Sequence, residues 1–555
     1  MVFVDGATME QLLSVAPMRC LAAQGGTALL SDRLPLRRVE RFLISDPGDK
    51  QPSVAVPVPG LSFEDAGTLT EPDGTFRVSG VLDLADRLGA DVQHDAAVHR
   101  VLVVVASAGP PPASRDAGDE LSAVILAEGT PGAVAGALAG AGCARVRSLS
   151  SDSTRRNGIV TSRDVATTVL SFLGERSPNG DPEGSTIRVT DAPAPFELHE
   201  RYLAMRRMSV PIQTAAGLYV TVVGLFGIAL LAFRRRVPER LARFGGWTAL
   251  TVIPLAAALL AAGHLAMLSY ATVVPFAIGV TVLGVLAVVP LQRFGTSVPT
   301  AVLGASVLLY FVVEAALGWT AALTPFLGGS ELDGGRFYGL PNVFIGLLAG
   351  CALFVAVRLG PIAGWLLVAG VGLFAGLPFA GSNLGASVTL FAAAGICLAV
   401  RRWDRLGWRP VVAAVATVVV GTGVVLLAHR VLTSAPTHVT RFEETAGRSL
   451  SGVWGTVSDR FLVGWRLILR NPFALVPVFG VPLTLIGVLR PPPGVRDALE
   501  RHHGLRDAIV VTLVAGLVAV LSNDSWPAAM GLAFGLGLGG LLYVSLAGRT
   551  GMMRG

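Results

Sequence analysis

The chain has 555 residues, of which 52% are hydrophobic and 15% charged, and its mean hydropathy is +0.62. These values exclude a water-soluble globular protein of average composition, so a bilayer must surround much of the chain. The formal net charge is +6, but most arginines stand in short loops between apolar runs, which the positive-inside bias explains without a nucleic-acid partner.

Residues 1–210 alternate strand-like and helix-like segments, which predicts a soluble α/β sheet domain. Strands are predicted at 2–4, 101–106 and 123–126. Helices are predicted at 8–24 and 164–173, and the charged segment 196–208 is predicted to be a helix that leads to the first membrane span. The segment 44–76 is rich in Pro, Gly and Asp and is therefore predicted to be a loop.

The four cysteines divide between the two parts of the chain, with Cys20 and Cys143 in the soluble domain and Cys351 and Cys397 in apolar runs. No CxxC motif or Cys/His ligand spacing is present. A disulfide between Cys20 and Cys143 is one expectation if the domain is exported. Two buried free thiols are the alternative, and the sequence leaves both open.

Three stretches of the soluble domain resemble the alkaline phosphatase/sulfatase superfamily. Residues 2–6, Val-Phe-Val-Asp-Gly, are similar to the first strand of that superfamily and the metal-binding aspartate that follows it. Residues 21–27 are similar to the end of the next helix. The stretch 153–174, which contains Asp164-Val165-Ala166, is similar to a helix near the end of that domain. The resemblance covers most of 1–190 and implies a truncated alkaline-phosphatase-like fold with Asp5 as a metal ligand.

The residues that this superfamily needs for catalysis are largely missing. Its chemistry uses a Ser, Thr or Cys nucleophile and two metal ions held by several Asp and His residues. Where the superfamily has an Asp-His pair, residues 107–110 read Ser-Ala-Gly-Pro, and the nominal nucleophiles are Thr27 and Ser31. We therefore predict a degenerate, noncatalytic relative without a cofactor, in which a divalent metal is expected only if the domain is active.

Arg155 and Arg156 are adjacent within the stretch 153–174. A guanidinium binds phosphate through two parallel hydrogen bonds, so the pair is a candidate site for an anionic headgroup or a glycan phosphate. The alternative is a solvated loop, because arginine pairs on surfaces are common and seldom form sites.

From Thr214 onward, long apolar runs alternate with short polar or Gly/Pro breaks. Each run approaches the roughly 20 residues that cross the hydrocarbon core of a bilayer. Residues 211–555 are therefore predicted to form an all-α bundle of about eleven membrane-spanning helices. The runs are 214–233, 247–267, 270–290, 298–320, 341–357, 361–380, 384–400, 410–432, 472–489, 508–522 and 527–547.

The arginine-rich connections between these runs all fall on one side of the predicted bundle. By the positive-inside rule that side is cytoplasmic, which predicts an inner-membrane protein with an extracytoplasmic N-terminal domain and a cytoplasmic C-terminus. An exported domain normally follows an apolar signal, yet residues 2–6 look like a core strand. A signal peptide or anchor helix is therefore expected upstream of Met1.

Ionisable side chains within a span are energetically unfavourable and therefore mark candidate sites. Glu314 lies past the middle of the fourth run, and His264 lies near the outer end of the second. The outer loop that follows Glu314 carries Arg336 and Tyr338 and leads to Asn342. We predict that Glu314, Arg336, Tyr338 and Asn342 line a polar substrate pocket at the outer face. The alternative is a Glu–Arg pair that only neutralises charge between packed helices.

The outer segment 433–471 contains apolar and basic residues at helical spacing, which predicts an amphipathic helix. Such a helix lies along the membrane interface or packs beneath the soluble domain as a cover. The sequence does not choose between the two placements.

Three functions fit these features. The preferred one is a cell-envelope protein whose noncatalytic domain is a sensor or scaffold and whose bundle binds or moves a lipid-linked or other amphiphilic substrate. The second is an active metal-dependent phospho- or sulfo-ester hydrolase or headgroup transferase, and the third is a secondary transporter, which an internal repeat would support. Expected partners are membrane lipid, a lipid-linked envelope substrate and other envelope proteins. No nucleotide-binding loop or Rossmann fingerprint is present, so no nucleotide is expected.

Overall fold

The computed structural model describes fourteen stretches of the chain, which are residues 2–5, 9–30, 64–68, 78–94, 100–107, 122–140, 145–174, 184–324, 326–327, 337–403, 408–433, 450–470, 475–523 and 525–547. The chain forms two compact units. The first, here called the N-terminal unit, comprises Met1–Arg207 and Ser330–Tyr338. The second, the membrane unit, comprises Met208–Gly329 and Gly339–Gly555.

The N-terminal unit is built on a mixed sheet. Within the described residues its strands are β1 (Val2–Asp5), β2 (Gly26–Leu30), β3 (Glu64–Thr68), β4 (Val101–Ser107), β5 (Ser122–Gly129), β6 (Arg147–Ser151), β7 (Ile159–Val160) and β8 (Ile187–Pro193). Their order is β3-β1-β4-β5-β2-β6-β8, and β7 pairs with β2. β1 is parallel to β3 and β4, whereas β5 is antiparallel to β4 and β2. The strands predicted at 2–4, 101–106 and 123–126 are therefore confirmed.

Helices pack against this sheet, and within the described residues they are α1 (Met9–Ser14), α2 (Ala16–Gln24), α3 (Val78–His94), α4 (Pro131–Leu138) and α5 (Ser162–Leu173). One core cluster joins Val104 of β4 and Val124 of β5 to Val165 and Val169 of α5. The helix predicted at 8–24 is two helices, because Val15 between them is extended. Pro17 then stands in the first turn of α2, where its missing N–H leaves no intrahelical hydrogen bond unmade.

The prediction of a loop over 44–76 was wrong for Glu64–Thr68, which form β3. Val2 and Phe3 of β1 pair with Glu64 and Asp65. Acidic residues and glycine disfavour strands in isolation, but backbone pairing with an available neighbour overrides this propensity. The other residues of 44–76 lie outside the described part of the chain.

Cys20 is buried in α2 and is disulfide-bonded, which excludes a free thiol at this position. Cys143, the partner that the sequence suggests, lies outside the described residues. Cys351 and Cys397 are free and buried in the membrane unit.

The membrane unit is helical. The helix α6 (Phe196–Ala232) begins in the N-terminal unit, as the charged segment 196–208 predicts, and continues into the membrane unit without a break. The described helices that follow are α7 (Glu239–Leu250), α8 (Val252–Ala261), α9 (Tyr270–Val288), α10 (Ser297–Ala316), α11 (Ile345–Ala356), α12 (Pro361–Gly376), α13 (Leu384–Arg402), α14 (Trp408–Leu432), α15 (Leu450–Arg470), α16 (Leu475–Leu489), α17 (Pro493–Arg501), α18 (His503–Ser522) and α19 (Trp526–Ala547).

Every apolar run predicted to span the membrane overlaps one or two α-helices of the described chain. Among the described residues, eight helices are long and apolar enough to cross a bilayer, and α7 and α8 count as one of them, Glu239–His264. The helices α11, α12 and α16 are apolar but shorter than the roughly 20 residues that a straight crossing needs. The chain is therefore a multi-pass membrane protein, while the count of eleven spans stays a prediction.

Close helix packing in the membrane unit depends on glycine. The helix α19 is buried along most of its length and contacts α7, α11, α16 and α18. A Cβ atom at Gly346 of α11 would lie 2.1 Å from the backbone oxygen of Ala529 in α19. Only glycine lets the two backbones approach so closely, as is common where membrane helices associate.

Replacing this glycine should therefore separate the two helices. We expect Gly346→Val to lower the stability of the membrane unit by at least about 2 kcal/mol, because an overpacked contact with backbone cannot be relieved by a rotamer change. The matched control is Gly279→Val in α9, where a Cβ atom would meet nothing within 4 Å. The measurement is the thermal unfolding midpoint in detergent, and equal midpoints for the two variants would contradict the close approach.

Candidate functional site

Glu314 is an acidic residue in the last turn of α10, a helix that otherwise consists of apolar and small residues with a few hydroxyls. Its side chain is only 1% exposed. Ionised carboxylates are almost never fully buried unless they are paired, so the surroundings of Glu314 must supply hydrogen bonds.

Both carboxylate oxygens of Glu314 have partners. His264 Nε2 lies 2.6 Å from Oε2, and the hydroxyl of Tyr310 donates a longer bond of 3.5 Å to the same oxygen. The backbone N–H of Ala321 donates to Oε1 at 2.6 Å. We call Glu314, His264 and Tyr310 the carboxylate cluster. Its histidine side chain is 36% exposed, so the buried carboxylate has a polar connection to the surface of the membrane unit.

Local structure explains why these residues meet. His264 ends a short 3-10 helix, Ala262–His264, that follows α8, and Ala321 begins another, Ala321–Leu323. The two turns are in close contact, since a Cβ atom at Gly263 would lie 2.7 Å from the oxygen of Ala321. Thr324 Oγ1 also donates to the oxygen of Gly263 at 3.4 Å. The turns thereby hold His264 and the N–H of Ala321 on either side of Glu314.

The turn between Glu314 and Ala321 is strained. Trp319 has a φ of 62°, a conformation that L-residues other than Asn and Asp rarely adopt. Its backbone N–H donates to the oxygen of Glu314 at 2.8 Å, and its indole Nε1 donates to the oxygen of Ala380 at 2.8 Å. Non-glycine residues in this region cost on the order of 1–3 kcal/mol and cluster at functional sites.

Aromatic rings surround one side of the cluster. The rings of His264 and Tyr310 meet edge to face at 6.4 Å, and Tyr310 contacts Phe311 at 6.0 Å. Phe311 in turn packs on Trp319 and Phe344. These rings exclude water from the carboxylate, which strengthens its hydrogen bonds and raises the energy of any uncompensated charge.

Chemically, the carboxylate cluster can hold a proton and can bind a polar group that reaches His264. The hydrogen bond to Glu314 fixes the orientation of the imidazole and occupies Nε2, so Nδ1 is the ring nitrogen left for an incoming group. Among the described residues no group of three or more His, Cys, Asp or Glu side chains is arranged to hold a metal ion.

The other residues predicted to line the pocket have different surroundings. Asn342 accepts a hydrogen bond of 2.8 Å from the side chain of Asn383, which caps the first turn of α13. Tyr338 belongs to the N-terminal unit, where its ring receives the guanidinium of Arg155 at 4.1 Å. Arg336 lies outside the described residues. Among the residues that the structure describes, Glu314 therefore has His264 as its basic partner.

Arg155 and Arg156 contact two neighbouring residues of the N-terminal unit, Tyr338 and Phe337. Arg155 has a φ of 53° and stacks on Tyr338, while Arg156 donates from Nε to the oxygen of Phe337 at 2.7 Å. Both side chains are therefore engaged with neighbouring residues, although Arg155 is exposed. An anionic ligand would have to compete with these contacts.

Asp164, the acidic residue in the stretch that resembles the superfamily helix, has a structural role. Its buried carboxylate accepts hydrogen bonds from the hydroxyls of Ser151 and Ser153 and from the backbone N–H groups of Thr161 and Ser185, at 2.6–2.9 Å. Thr161 and Asp164 also form a capping box at the start of α5. These structural hydrogen bonds therefore account for the presence of Asp164 at this position without a catalytic role.

The residues predicted for hydrolase chemistry are Asp5, Thr27 and Ser31, and of these three the structure describes the side chain of Thr27. Asp5 ends β1, where its backbone pairs with Thr68, and its side chain is outside the described part of the chain. Thr27 is buried in β2 and its hydroxyl donates to the oxygen of Val124 at 2.9 Å. This hydrogen bond is an ordinary contact between neighbouring strands. The role of Asp5 as a metal ligand stays a prediction. Ser31 lies outside the described residues.

The sequence pointed to Glu314 but not to its partners as a set. Tyr310 lies four residues before Glu314, and this spacing places the two side chains on one face of α10, so it could have been identified. His264 is separated from Glu314 by 50 residues, and only the fold brings the two together.

The predicted amphipathic segment 433–471 contains the helix α15, while residues 434–449 and 471 lie outside the described chain. Large apolar side chains on this helix are exposed, namely Trp454, Phe461, Leu462, Trp465 and Leu469. Phe461 stacks on Trp526 at the start of α19, and Gly464 lies against the same indole. These contacts anchor one flank of α15 on the membrane unit, while Trp454, Leu462 and Leu469 stay exposed.

Comparisons of the chain with protein-family models, with curated proteins and with solved structures give no match.

Proposed function

We propose that the protein is a cell-envelope membrane protein whose membrane unit binds or moves a lipid-linked or other amphiphilic substrate. The observation that carries this function is a carboxylate, Glu314, buried in an apolar membrane helix and hydrogen-bonded to Nε2 of His264, whose side chain is 36% exposed. Ionisable groups in spans mark substrate and ion pathways more often than they stabilise packing. The site would contact the polar part of the substrate through His264 while the apolar part stays among the helices.

The N-terminal unit is proposed to lie outside the cytoplasm, in an inner membrane. The arginines of alternate loops support this orientation through the positive-inside rule. The disulfide at Cys20 supports it independently, since disulfides persist in oxidising compartments.

A noncatalytic role as scaffold or sensor is proposed for the N-terminal unit, as a degenerate relative of the alkaline phosphatase/sulfatase superfamily. Asp164 and Thr27 are occupied by structural hydrogen bonds, and Arg155 and Arg156 are engaged with Tyr338 and Phe337. These contacts favour a scaffold over a hydrolase.

The test is retention of native lipid. The full-length protein is purified gently from its own membranes, and bound lipids are identified by native mass spectrometry. We expect the wild type to retain a distinct amphiphile that Glu314→Gln loses, because the amide cannot pair with His264 as a carboxylate does. Glu239→Gln, at an exposed position in the first turn of α7, is the matched control and should retain the amphiphile. Equal retention by all three proteins would refute the proposed function.

A secondary transporter is the second candidate, and the same pair of residues favours it, because transporters use buried carboxylate and imidazole groups to carry coupling ions. The two functions differ in what the protein retains. Tight binding of an amphiphile favours the first, whereas uptake of a water-soluble solute into proteoliposomes that Glu314→Gln abolishes favours the second.

A further inference from the structure

We propose that the carboxylate cluster is a proton-binding site, in which Glu314 and His264 share one exchangeable proton that enters and leaves through the exposed edge of His264. Any coupling of this proton to substrate binding rests on the function proposed above. Proton binding itself does not depend on that function.

The first argument is charge. With a neutral imidazole and an ionised carboxylate the cluster has a charge of −1, and one added proton makes it neutral. Two hydrogen-bond donors other than the imidazole, the N–H of Ala321 and the hydroxyl of Tyr310, compensate the carboxylate only in part. A net charge in an apolar membrane helix is energetically unfavourable, so the cluster needs a cation in addition. The 2.6 Å between Nε2 and Oε2 is too short for a metal ion to bridge the two atoms, whereas a proton can be added at the other ring nitrogen.

The second argument is access. Glu314 is buried, but His264 is 36% exposed and its ring bridges the carboxylate and the surface. A proton that arrives at Nδ1 makes the ring an imidazolium, and the proton on Nε2 is then shared with Oε2 of Glu314. Removal of a proton from Nδ1 reverses the step. No bond other than N–H and O–H forms or breaks, so nothing besides water is needed to balance it.

The third argument is that the site is coupled to a strained turn. Glu314 Oε1 accepts from Ala321 N, and the oxygen of Glu314 accepts from the N–H of Trp319 with its φ of 62°. A change in the charge of the carboxylate changes the strength of the bond to Ala321, which helps hold the turn in its rare conformation. Among the described residues, His264 and Tyr310 are the titratable side chains that contact Glu314.

The experiment counts protons on the full-length protein in lipid nanodiscs. Proton release between about pH 5 and pH 9 is measured by potentiometric titration, and infrared difference spectra follow the carboxyl and imidazole bands. We expect the double variant Glu314→Gln/His264→Gln to release about one proton per chain less than the wild type. In each single variant the remaining group should titrate at a different pH from that of the wild-type pair, because the two groups titrate together.

Several outcomes would overturn the proposal. Equal proton release by the wild type and the double variant would do so, and so would single variants whose transitions stay at the wild-type pH. Displacement of the proton by sodium, when choline is exchanged for sodium, would identify a metal-cation site instead. Glu239→Gln is the control for the loss of a solvent-exposed carboxylate. If Glu314→Gln does not fold, the test is made with His264→Gln, in which the pH of the proton-release transition should differ from that of the wild type.

The outcome separates proton binding from the proposed function. A normal titration together with lipid retention that is insensitive to Glu314→Gln would leave the proton site intact and refute substrate binding at this position. If Glu314→Gln loses the lipid while the variants titrate like the wild type, substrate binding at this position is supported and the proton site is refuted.

Discussion

Cells whose only copy of the protein carries Glu314→Gln are expected to behave like cells that lack the protein, although the variant accumulates to a normal level. The exchange keeps the size of the side chain, and the amide oxygen can still accept from Ala321 N while the amide NH2 faces His264 Nε2, where the other imidazole tautomer can accept, so the helices should pack as before. It removes the negative charge and the group that can exchange a proton with His264. The measurement is the lipid profile of the envelope, read against immunoblots of membrane fractions.

Double substitution gives this prediction a sharper form. If Glu314 and His264 act as one unit, His264→Gln alone should be about as severe as Glu314→Gln, and the double variant should be no worse than either. Tyr310→Phe should have a smaller effect, because its hydroxyl is 3.5 Å from the carboxylate whereas His264 is 2.6 Å away. Wild-type lipid profiles for Glu314→Gln, or strictly additive losses in the double variant, would contradict a shared role.

Hydrophobic patterning predicted the membrane unit well, because twenty apolar residues in a row have few alternatives to a membrane helix. It also singled out Glu314, since one carboxylate in such a run stands out. Its real partner was harder to predict. His264 was visible near the end of its own run, but nothing in the sequence relates it to Glu314, and only the contact of the turns at Gly263 and Ala321 does so.

The N-terminal unit shows the opposite balance. The strands β1, β4 and β5 and the helix α5 were predicted from local pattern, whereas β2, β6, β7 and β8 were not. The strand β3 was missed because its acidic sequence forms a strand only through pairing with β1. Tyr338 was placed with Glu314 on the basis of sequence proximity. In the structure it contacts Arg155, more than 180 residues before it in the chain, and is part of the N-terminal unit.

The stretch 153–174 illustrates how a sequence resemblance and a structural role coincide. Its acidic residue is where a pattern of the alkaline phosphatase/sulfatase superfamily has an aspartate, and in this protein the carboxylate holds the loop before α5, the N-terminus of α5 and the backbone at Ser185 together. A residue with such a role is needed for folding whether or not the domain catalyses anything. The resemblance alone is therefore a poor guide to activity.

This role predicts the largest loss of stability in the N-terminal unit. We expect Asp164→Ala to destabilise the unit by at least about 3 kcal/mol, because two hydroxyls and two backbone N–H groups lose a charged acceptor and some remain buried without one. For a unit of this size such a loss lowers the unfolding midpoint by roughly 6–12 °C.

Amide hydrogen exchange of the full-length protein measures this loss of stability separately in each part of the chain. Peptides that cover Ser151 and α5 should exchange much faster in Asp164→Ala, while peptides from the membrane unit should not change. Asp164→Asn keeps the shape but turns one acceptor into a donor, so its effect should be intermediate. Asp86→Ala, at an exposed position on α3, is the control and should match the wild type. Since four donors converge on one carboxylate, protection that survives Asp164→Ala would mean that the hydroxyls and amides find other acceptors, and that Asp164 does not hold this part of the fold together.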